Sequence, residues 1–148
     1  MPFEYKKIVI AVDGSEASEH AFEKAIDIAL RNKAKLFISH VVDTRAFATV
    51  EAYDRSLAER AENYATELLT RYQQKAKEEG LQEVQVDIEY GSPKVKIAKE
   101  VAPKFEADLI ICGATGLNAV ERFFIGSVSE HITRYASCDV LVIRPERE

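Results

Sequence analysis

The sequence predicts an α/β fold of the Rossmann-like type, with an open, parallel five-stranded sheet between two layers of helices. Five short apolar runs alternate with four segments of helical periodicity along the 148 residues. Parallel strands need helical crossovers of this kind. Glycines follow the first and fourth strands, at the end where open parallel sheets bind ligands. We therefore expect strand order 3-2-1-4-5, four helices on two faces, and a single domain over residues 1–148.

The first strand and helix are predicted from the start of the chain. An apolar run over residues 7–12 closes on the turn-forming residues Asp13, Gly14 and Ser15. Apolar residues then recur at spacings of three and four, from Ala21 to about residue 30, which is typical of an amphipathic helix. Ser15 is the predicted N-cap of this helix.

The second and third strands flank a long helix. The second strand is predicted over residues 36–42, and a mixed segment over 43–50 separates it from a helical stripe that should end near Gly80. The stripe consists of Leu57, Ala61, Tyr64, Leu68 and Tyr72. Residues 84–90 alternate between apolar and polar, which predicts a strand at or near an edge of the sheet.

The remaining elements complete the alternation. Ser92 and Pro93 open a third helix, because proline is favoured at the first helical position. A fourth strand is predicted over residues 108–113, a short helix over about 127–136, and a fifth strand over 140–144.

The composition favours a folded, soluble protein and excludes several classes. Hydrophobic residues make up 47%, charged residues 30%, and the net charge is −5, so nucleic acid is not an expected partner. No apolar run of about 18 residues and no signal-like start occurs, so we expect a cytoplasmic protein without membrane contact. Cys112 and Cys138 lack metal-ligand spacing and should be reduced, with Cys112 in the core.

The glycines after the fourth strand indicate a phosphate site. Gly113, Gly116 and Gly126 precede the fourth helix, whose N-terminus offers free N–H groups to an anion. Each glycine alone could serve a turn or a tight contact instead. Ser127 through Glu130 also reads as SxxE, a capping box that would explain Ser127 without a ligand. Both roles of Ser127 remain open at this point.

These residues resemble a known family. The segment GATGLNAVERFFIGSVSEH is similar to the universal stress protein pattern of GxxG, nine residues, then glycine with serine or threonine. IVIAVDGS at residues 8–15, HVVD at 40–43 and VLVIR at 140–144 resemble other conserved stretches of the pattern. The chain is therefore identified as a member of the ATP-binding universal stress proteins, and the resemblance covers its whole length.

The resemblance implies an adenine nucleotide, with ATP expected and ADP or AMP as alternatives, between the first and fourth strands. It places the adenosine against Asp13 and the backbone near Val12 and Val41, and the ribose beside Gly113. The implied phosphate contacts are Gly116, Gly126, Ser127, Val128 and Ser129. Thr115 stands where many relatives carry histidine, which weakens any phosphate contact from that side chain. Magnesium is expected if a triphosphate binds, because the crevice carries little positive charge of its own.

No catalytic or protein-held metal site is predicted. The sequence has no GxxxxGKS/T phosphate loop, no GxGxxG after the first strand, and no HExxH or GxSxG motif. A phosphate-receiver domain would need an acidic pair after the first strand and an aspartate after the third, where Tyr90 and Gly91 stand. The expected function is that of a nucleotide-binding protein in stress signalling, and two alternative functions stay open. One is a slow ATPase or nucleotide transferase, and the other is a nucleotide-independent dimeric interaction module.

Two further expectations concern assembly and access. The last strand, Val140 to Ile143, is apolar, and an apolar edge strand favours pairing with another chain. The resemblance implies the same arrangement, so we expect a homodimer through this strand. The segment from Asp43 to about Glu51 connects elements at the ligand end of the sheet, and we expect it to act as a gate beside the adenosine.

Overall fold

The computed structural model describes residues 4–44, 55–114 and 125–144. Its sheet has the order β3-β2-β1-β4-β5, and every neighbouring pair is parallel. This confirms the predicted fold class and strand order. The strands are β1 (Lys7–Ala11), β2 (Lys35–Asp43), β3 (Val84–Gly91), β4 (Leu109–Gly113) and β5 (Asp139–Ile143). Each boundary lies within two residues of its predicted position.

Four helices occupy the described part of the chain. They are α1 (Glu16–Asn32), α2 (Arg55–Glu78), α3 (the continuous segments Pro93–Lys96, Ile97–Val101 and Ala102–Lys104) and α4 (Ser127–Tyr135). Ser15 caps α1 as predicted, because its hydroxyl accepts a hydrogen bond from the N–H of Ser18 at 3.1 Å. Ser92 and Pro93 begin α3, also as predicted. No helix within these ranges is long and apolar enough to cross a bilayer.

The sheet separates two apolar cores, so the molecule has three layers. One core packs α1 and α2 against the face of β1 that carries Ile8 and Ile10. The other packs α3 and α4 against the face that carries Val9, Ile110 and Cys112. Each of these five side chains is at most 4% exposed. Burial on both faces explains why the central strands read as continuous apolar runs in the sequence.

Helix α3 widens into a π-helical turn over Ile97–Val101. Pro103 has no N–H, and its ring would collide with the carbonyl of Lys99 in a regular α-helix. The N–H of Ala102 instead bonds to the carbonyl of Ile97, five residues back. The wider turn lets the helix pass through the proline without breaking, so the third helix reaches Lys104 as one element.

Strand β3 lies at one edge of the sheet, as its alternating pattern predicted. Lys104 of α3 reaches back to this edge, and its ammonium bonds Asp87 at 2.6 Å and Glu89 at 2.5 Å. The buried Ser39 hydroxyl donates to the other oxygen of Asp87 at 3.1 Å. The hydrogen bonds from Lys104 to Asp87 and Glu89 raise the pKa of Lys104, and the bond to Lys104 lowers the pKa of Glu89. The cluster ties α3 to the edge strand.

Candidate nucleotide site

The predicted crevice opens where β1 and β4 separate. The two strands pair from Ile8 with Leu109 to Ile10 with Ile111 and then diverge. The chain after β1 enters α1 on one face of the sheet, whereas α4 packs on the other face. Strand order reverses at this point, and ligands of open parallel sheets bind at such a reversal. The reversal of strand order therefore lies between β1 and β4, as the sequence predicts; that a ligand binds there stays a prediction.

Asp13 is held in a tight turn at the end of β1. Its Oδ1 accepts a hydrogen bond from the N–H of Ser15 at 2.9 Å, and its own N–H donates to the Ser18 hydroxyl at 3.0 Å. Gly14 follows with φ +85°, a backbone conformation that favours glycine. Oδ2 of Asp13 makes no hydrogen bond to any residue that the structure describes. This oxygen can accept a bond from a ligand.

Val12 and Val41 are both buried, at 4% and 7% exposure. The N–H of Val12 donates to the carbonyl of Ser39 at 2.9 Å, and this is the last bond between β1 and β2. Within a parallel strand, alternate residues direct both peptide groups toward the same neighbour. The peptide groups of Val41 therefore face the side of β2 that β1 has already left, where they can bind a ligand.

Gly113 is a tight contact between β4 and the start of α1. A Cβ atom at this position would lie 3.0 Å from the backbone carbon and oxygen of Ala17. The Gly113 carbonyl accepts a short hydrogen bond from the buried Ser129 hydroxyl. The N–H of Gly126 also bonds the carbonyl of Ala114, at 2.7 Å. These bonds fix the start of α4 against the end of β4.

The capping-box interpretation of Ser127 is wrong. Gly126 is the N-cap of α4, with extended backbone angles of φ −67° and ψ 161°, and Ser127 is the first helical residue. No side chain makes a capping hydrogen bond at this end, within the part of the helix that the structure describes. The Gly126 N–H bond to Ala114 sets the helix start one residue earlier than SxxE requires. Ser127 is exposed and remains available for a ligand.

The first turn of α4 presents free backbone donors. The first intrahelical bond runs from the N–H of Glu130 to the carbonyl of Gly126 at 3.0 Å. The N–H groups of Ser127, Val128 and Ser129 therefore have no intrahelical acceptor. Val128 packs its side chain toward the α3 and α4 core, and the Ser129 hydroxyl is used by Gly113. Val128 and Ser129 can therefore bind a phosphate through their backbone N–H groups and not through their side chains.

Some of the predicted features lie outside the described residues. Gly116 and Thr115 belong to residues 115–124, and the expected gate, from Asp43 to about Glu51, lies outside the described residues from residue 45 onward. Among the residues that are described, no group of three or more His, Cys, Asp or Glu side chains is arranged to hold a metal ion.

Sequence reasoning missed two side chains beside the Asp13 turn, Tyr64 and His40. Tyr64 was assigned to the apolar stripe of the second helix, yet it is 47% exposed and its hydroxyl donates to the carbonyl of Asp13 at 3.4 Å. Nδ1 of His40 lies 2.8 Å from the carbonyl of Val12. Because a carbonyl only accepts, Nδ1 carries the proton. The stripe contains a second tyrosine, Tyr72, which is buried in the core, so the sequence offered no signal that distinguished Tyr64.

Comparison with known proteins places the chain in a family. A sequence model described as the Universal stress protein family matches residues 4–144. A putative universal stress protein of Staphylococcus saprophyticus is 50% identical over 142 residues, which cover 96% of this chain and 85% of that protein.

Solved structures agree with this result. The universal stress protein UspA from Lactobacillus plantarum has a TM-score of 0.86 at 34% identity, over 97% of this chain and 100% of that one. A universal stress protein solved in complex with cAMP has a TM-score of 0.73 at 25% identity, over the same shares of the two chains. The chain belongs to the universal stress protein family.

Proposed function

We propose that this chain binds an adenine nucleotide, with ATP as the preferred ligand, in the crevice between β1 and β4, and acts as a binding protein in stress signalling. The observation that carries the proposal is that hydrogen-bond donors and an acceptor without partners among the described residues lie at the two ends of this crevice. Free backbone N–H groups begin α4, and an open carboxylate oxygen of Asp13 lies at the end of β1. The relative solved with cAMP supports an adenine nucleotide.

The adenosine end of the ligand would lie at β1 and β2. The edge of adenine carries an amino donor beside a ring-nitrogen acceptor. The carbonyl and N–H of Val41 are complementary to that pair, and Oδ2 of Asp13 would accept from the nucleoside. Val12 and Val41 are buried, in the cores on opposite faces of the sheet, so the strand ends that border this part of the crevice are apolar, as the walls of small-molecule sites commonly are.

The phosphate end would lie at the start of α4. Donors from Ser127, Val128 and Ser129 combine with the positive end of the helix dipole, an arrangement that favours phosphate. Gly126 leaves this approach free of a side chain, and Gly116 is a further proposed contact. Residues 125–129 contain no lysine or arginine. We therefore expect a triphosphate to bring magnesium from solution to balance its charge.

Ser127 provides the sharpest test of the phosphate end. Ser127→Asp places a negative charge at the first helical position, facing the proposed phosphates. Because aspartate is well tolerated in the first turn of a helix, the fold should survive, while titration calorimetry should show ATP binding nearly abolished. Ser127→Ala should weaken binding about ten- to a hundredfold, since a hydrogen bond to a charged group contributes roughly 1.5 to 3 kcal/mol.

The matched control is Thr66→Asp, which adds the same charge to an exposed site on α2, across the sheet from α4. This variant should bind ATP like the wild type. Wild-type affinity in folded Ser127→Asp protein would contradict the phosphate assignment. Phosphate release, followed in the same samples, separates binding from the slow ATPase alternative.

We also propose that the chain forms a homodimer through β5. Within the described residues β5 pairs with β4 on one side and leaves its other side open. Leu141 is 36% exposed on this edge, and Val140 and Val142 are half-buried. A partner strand would cover these apolar side chains and the unpaired peptide groups.

A further inference from the structure

We propose that Tyr64 is a positioning residue for the nucleotide, which holds the Asp13–Gly14 turn so that one carboxylate oxygen of Asp13 stays directed at the crevice. This inference rests on the proposed function. Tyr64 belongs to α2, and with 47% of its surface exposed its ring contributes little to the core. Its hydroxyl donates to the carbonyl of Asp13 at 3.4 Å. Packing in the core therefore does not account for a tyrosine at this position, whereas its contact with the Asp13 carbonyl does.

The turn is shaped to receive the Tyr64 phenol. A Cβ atom at Gly14 would lie 2.0 Å from the Tyr64 hydroxyl oxygen and 3.3 Å from the adjacent ring carbon. Any side chain at this position would therefore displace the phenol. Glycine serves two needs here, because its φ of +85° also suits few other residues. The tyrosine and the glycine thus form one contact between α2 and the turn.

The backbone groups of Val12 and Asp13 are all committed to the protein. The N–H and carbonyl of Val12 bond to Ser39 and His40, and the N–H and carbonyl of Asp13 bond to Ser18 and Tyr64. The His40 and Tyr64 rings also meet edge to face, with centroids 6.1 Å apart. Between these two residues, Oδ2 of Asp13 is the polar atom without a hydrogen bond to any described residue, and it would contact the nucleoside beside the peptide groups of Val41.

The consequence for binding is specific to one end of the ligand. Without the Tyr64 hydroxyl, the Asp13 carbonyl loses its donor, so the peptide that joins Asp13 to Gly14 can reorient. That change would shift Gly14 and Ser15, whose N–H holds Oδ1 of Asp13, and the carboxylate would lose its fixed direction. The phosphate end at α4 is untouched by this change. The loss of affinity should therefore be the same for AMP, ADP and ATP, whereas a change at Ser127 should matter more as phosphates are added.

The experiment is titration calorimetry of Tyr64→Phe with AMP, ADP and ATP. We expect binding about three- to tenfold weaker for each nucleotide, which is the usual effect of one hydrogen bond. The melting temperature should be nearly unchanged, because the hydroxyl is exposed. Tyr90→Phe is the matched control. Tyr90 lies on β3 and is 46% exposed, and its hydroxyl donates at 3.3 Å to Glu62 of α2, the helix that carries Tyr64. Tyr90→Phe should bind all three nucleotides like the wild type.

The outcomes separate this inference from the proposed function. If the wild type binds ATP and both Tyr64→Phe and Tyr64→Ala bind it equally well, the positioning role is overturned and the site stands. Equal losses in Tyr64→Phe and Tyr90→Phe would also overturn it, since the effect would then belong to α2 in general. A wild-type chain that binds no adenine nucleotide would overturn the proposed function, and this inference with it.

Discussion

Burial separates the chemistry of the two cysteines. Cys112 lies in β4 at 4% exposure, and burial raises the pKa of its thiol to about 11. Cys138 lies between α4 and β5 and is partly exposed. Burial, with the nearby Asp139 carboxylate, raises the pKa of Cys138 as well. The thiolate is the reactive form, so access to solvent decides which sulfur reacts in the folded protein.

We expect a disulfide reagent such as DTNB at pH 8 to modify Cys138 slowly in the native protein and to leave Cys112 unmodified. Unfolding in guanidinium should release both thiols. The absorbance of the released thiolate counts the modified groups. The Cys138→Ser variant should not react with DTNB until it unfolds. If the native Cys138→Ser protein reacted at the wild-type rate, Cys112 would be accessible.

At the scale of elements, the cluster of Lys104, Asp87 and Glu89 joins α3 to the edge strand β3. The pKa of Glu89 is lowered, so its contribution to stability is present above the ordinary value of 4.5 and is lost as pH falls through the lower, folded value. The pKa of Lys104 is raised, so its contribution is present below 10.5 and is lost as pH rises through the higher, folded value. The cluster should therefore stabilise the fold most at intermediate pH.

Replacing Lys104 with methionine tests this dependence. We expect the melting temperature to fall below that of the wild type near neutral pH, because Asp87, at 9% exposure, loses its cation. The difference should shrink as the pH falls below 4.5, the ordinary pKa of glutamate, and as it rises above 10.5, the ordinary pKa of lysine. Arg31→Met is the control, since its ion pair with Asp27 lies within one helix and both side chains are exposed. A difference that is constant from pH 3 to 11 would rule out the ionic contribution.

The elements also show what local sequence patterns can and cannot predict. The types of the elements, the Ser15 cap and the proline start of α3 followed from periodicity and from residues adjacent in the chain. The cap of α4 did not, because the Gly126 bond to Ala114 depends on how β4 and α4 meet. The Tyr64 contact with the Asp13 turn joins residues 51 positions apart, and no local pattern encodes such a contact.

At the scale of the whole molecule, the two edges of the sheet differ in character. The β3 edge carries Asp87 and Glu89 with their lysine partner, and charges on an edge discourage pairing with another chain. The β5 edge carries Val140, Leu141 and Val142, with apolar surface left in the monomer. Association should therefore use β5, and each protomer would then keep its own crevice between β1 and β4.

Leu141→Lys tests this arrangement, because a lysine on an edge strand opposes pairing through its charge. We expect the wild type to sediment as a dimer at about 10 μM, and Leu141→Lys to sediment as a monomer or to dissociate at far higher concentration. Gln85→Lys, an exposed position on the opposite edge strand, should remain dimeric. ATP affinity should be retained in the Leu141→Lys monomer, since β5 supplies none of the proposed ligand contacts. A wild type that stays monomeric at this concentration, or a Leu141→Lys dimer as stable as the wild type, would contradict assembly through β5.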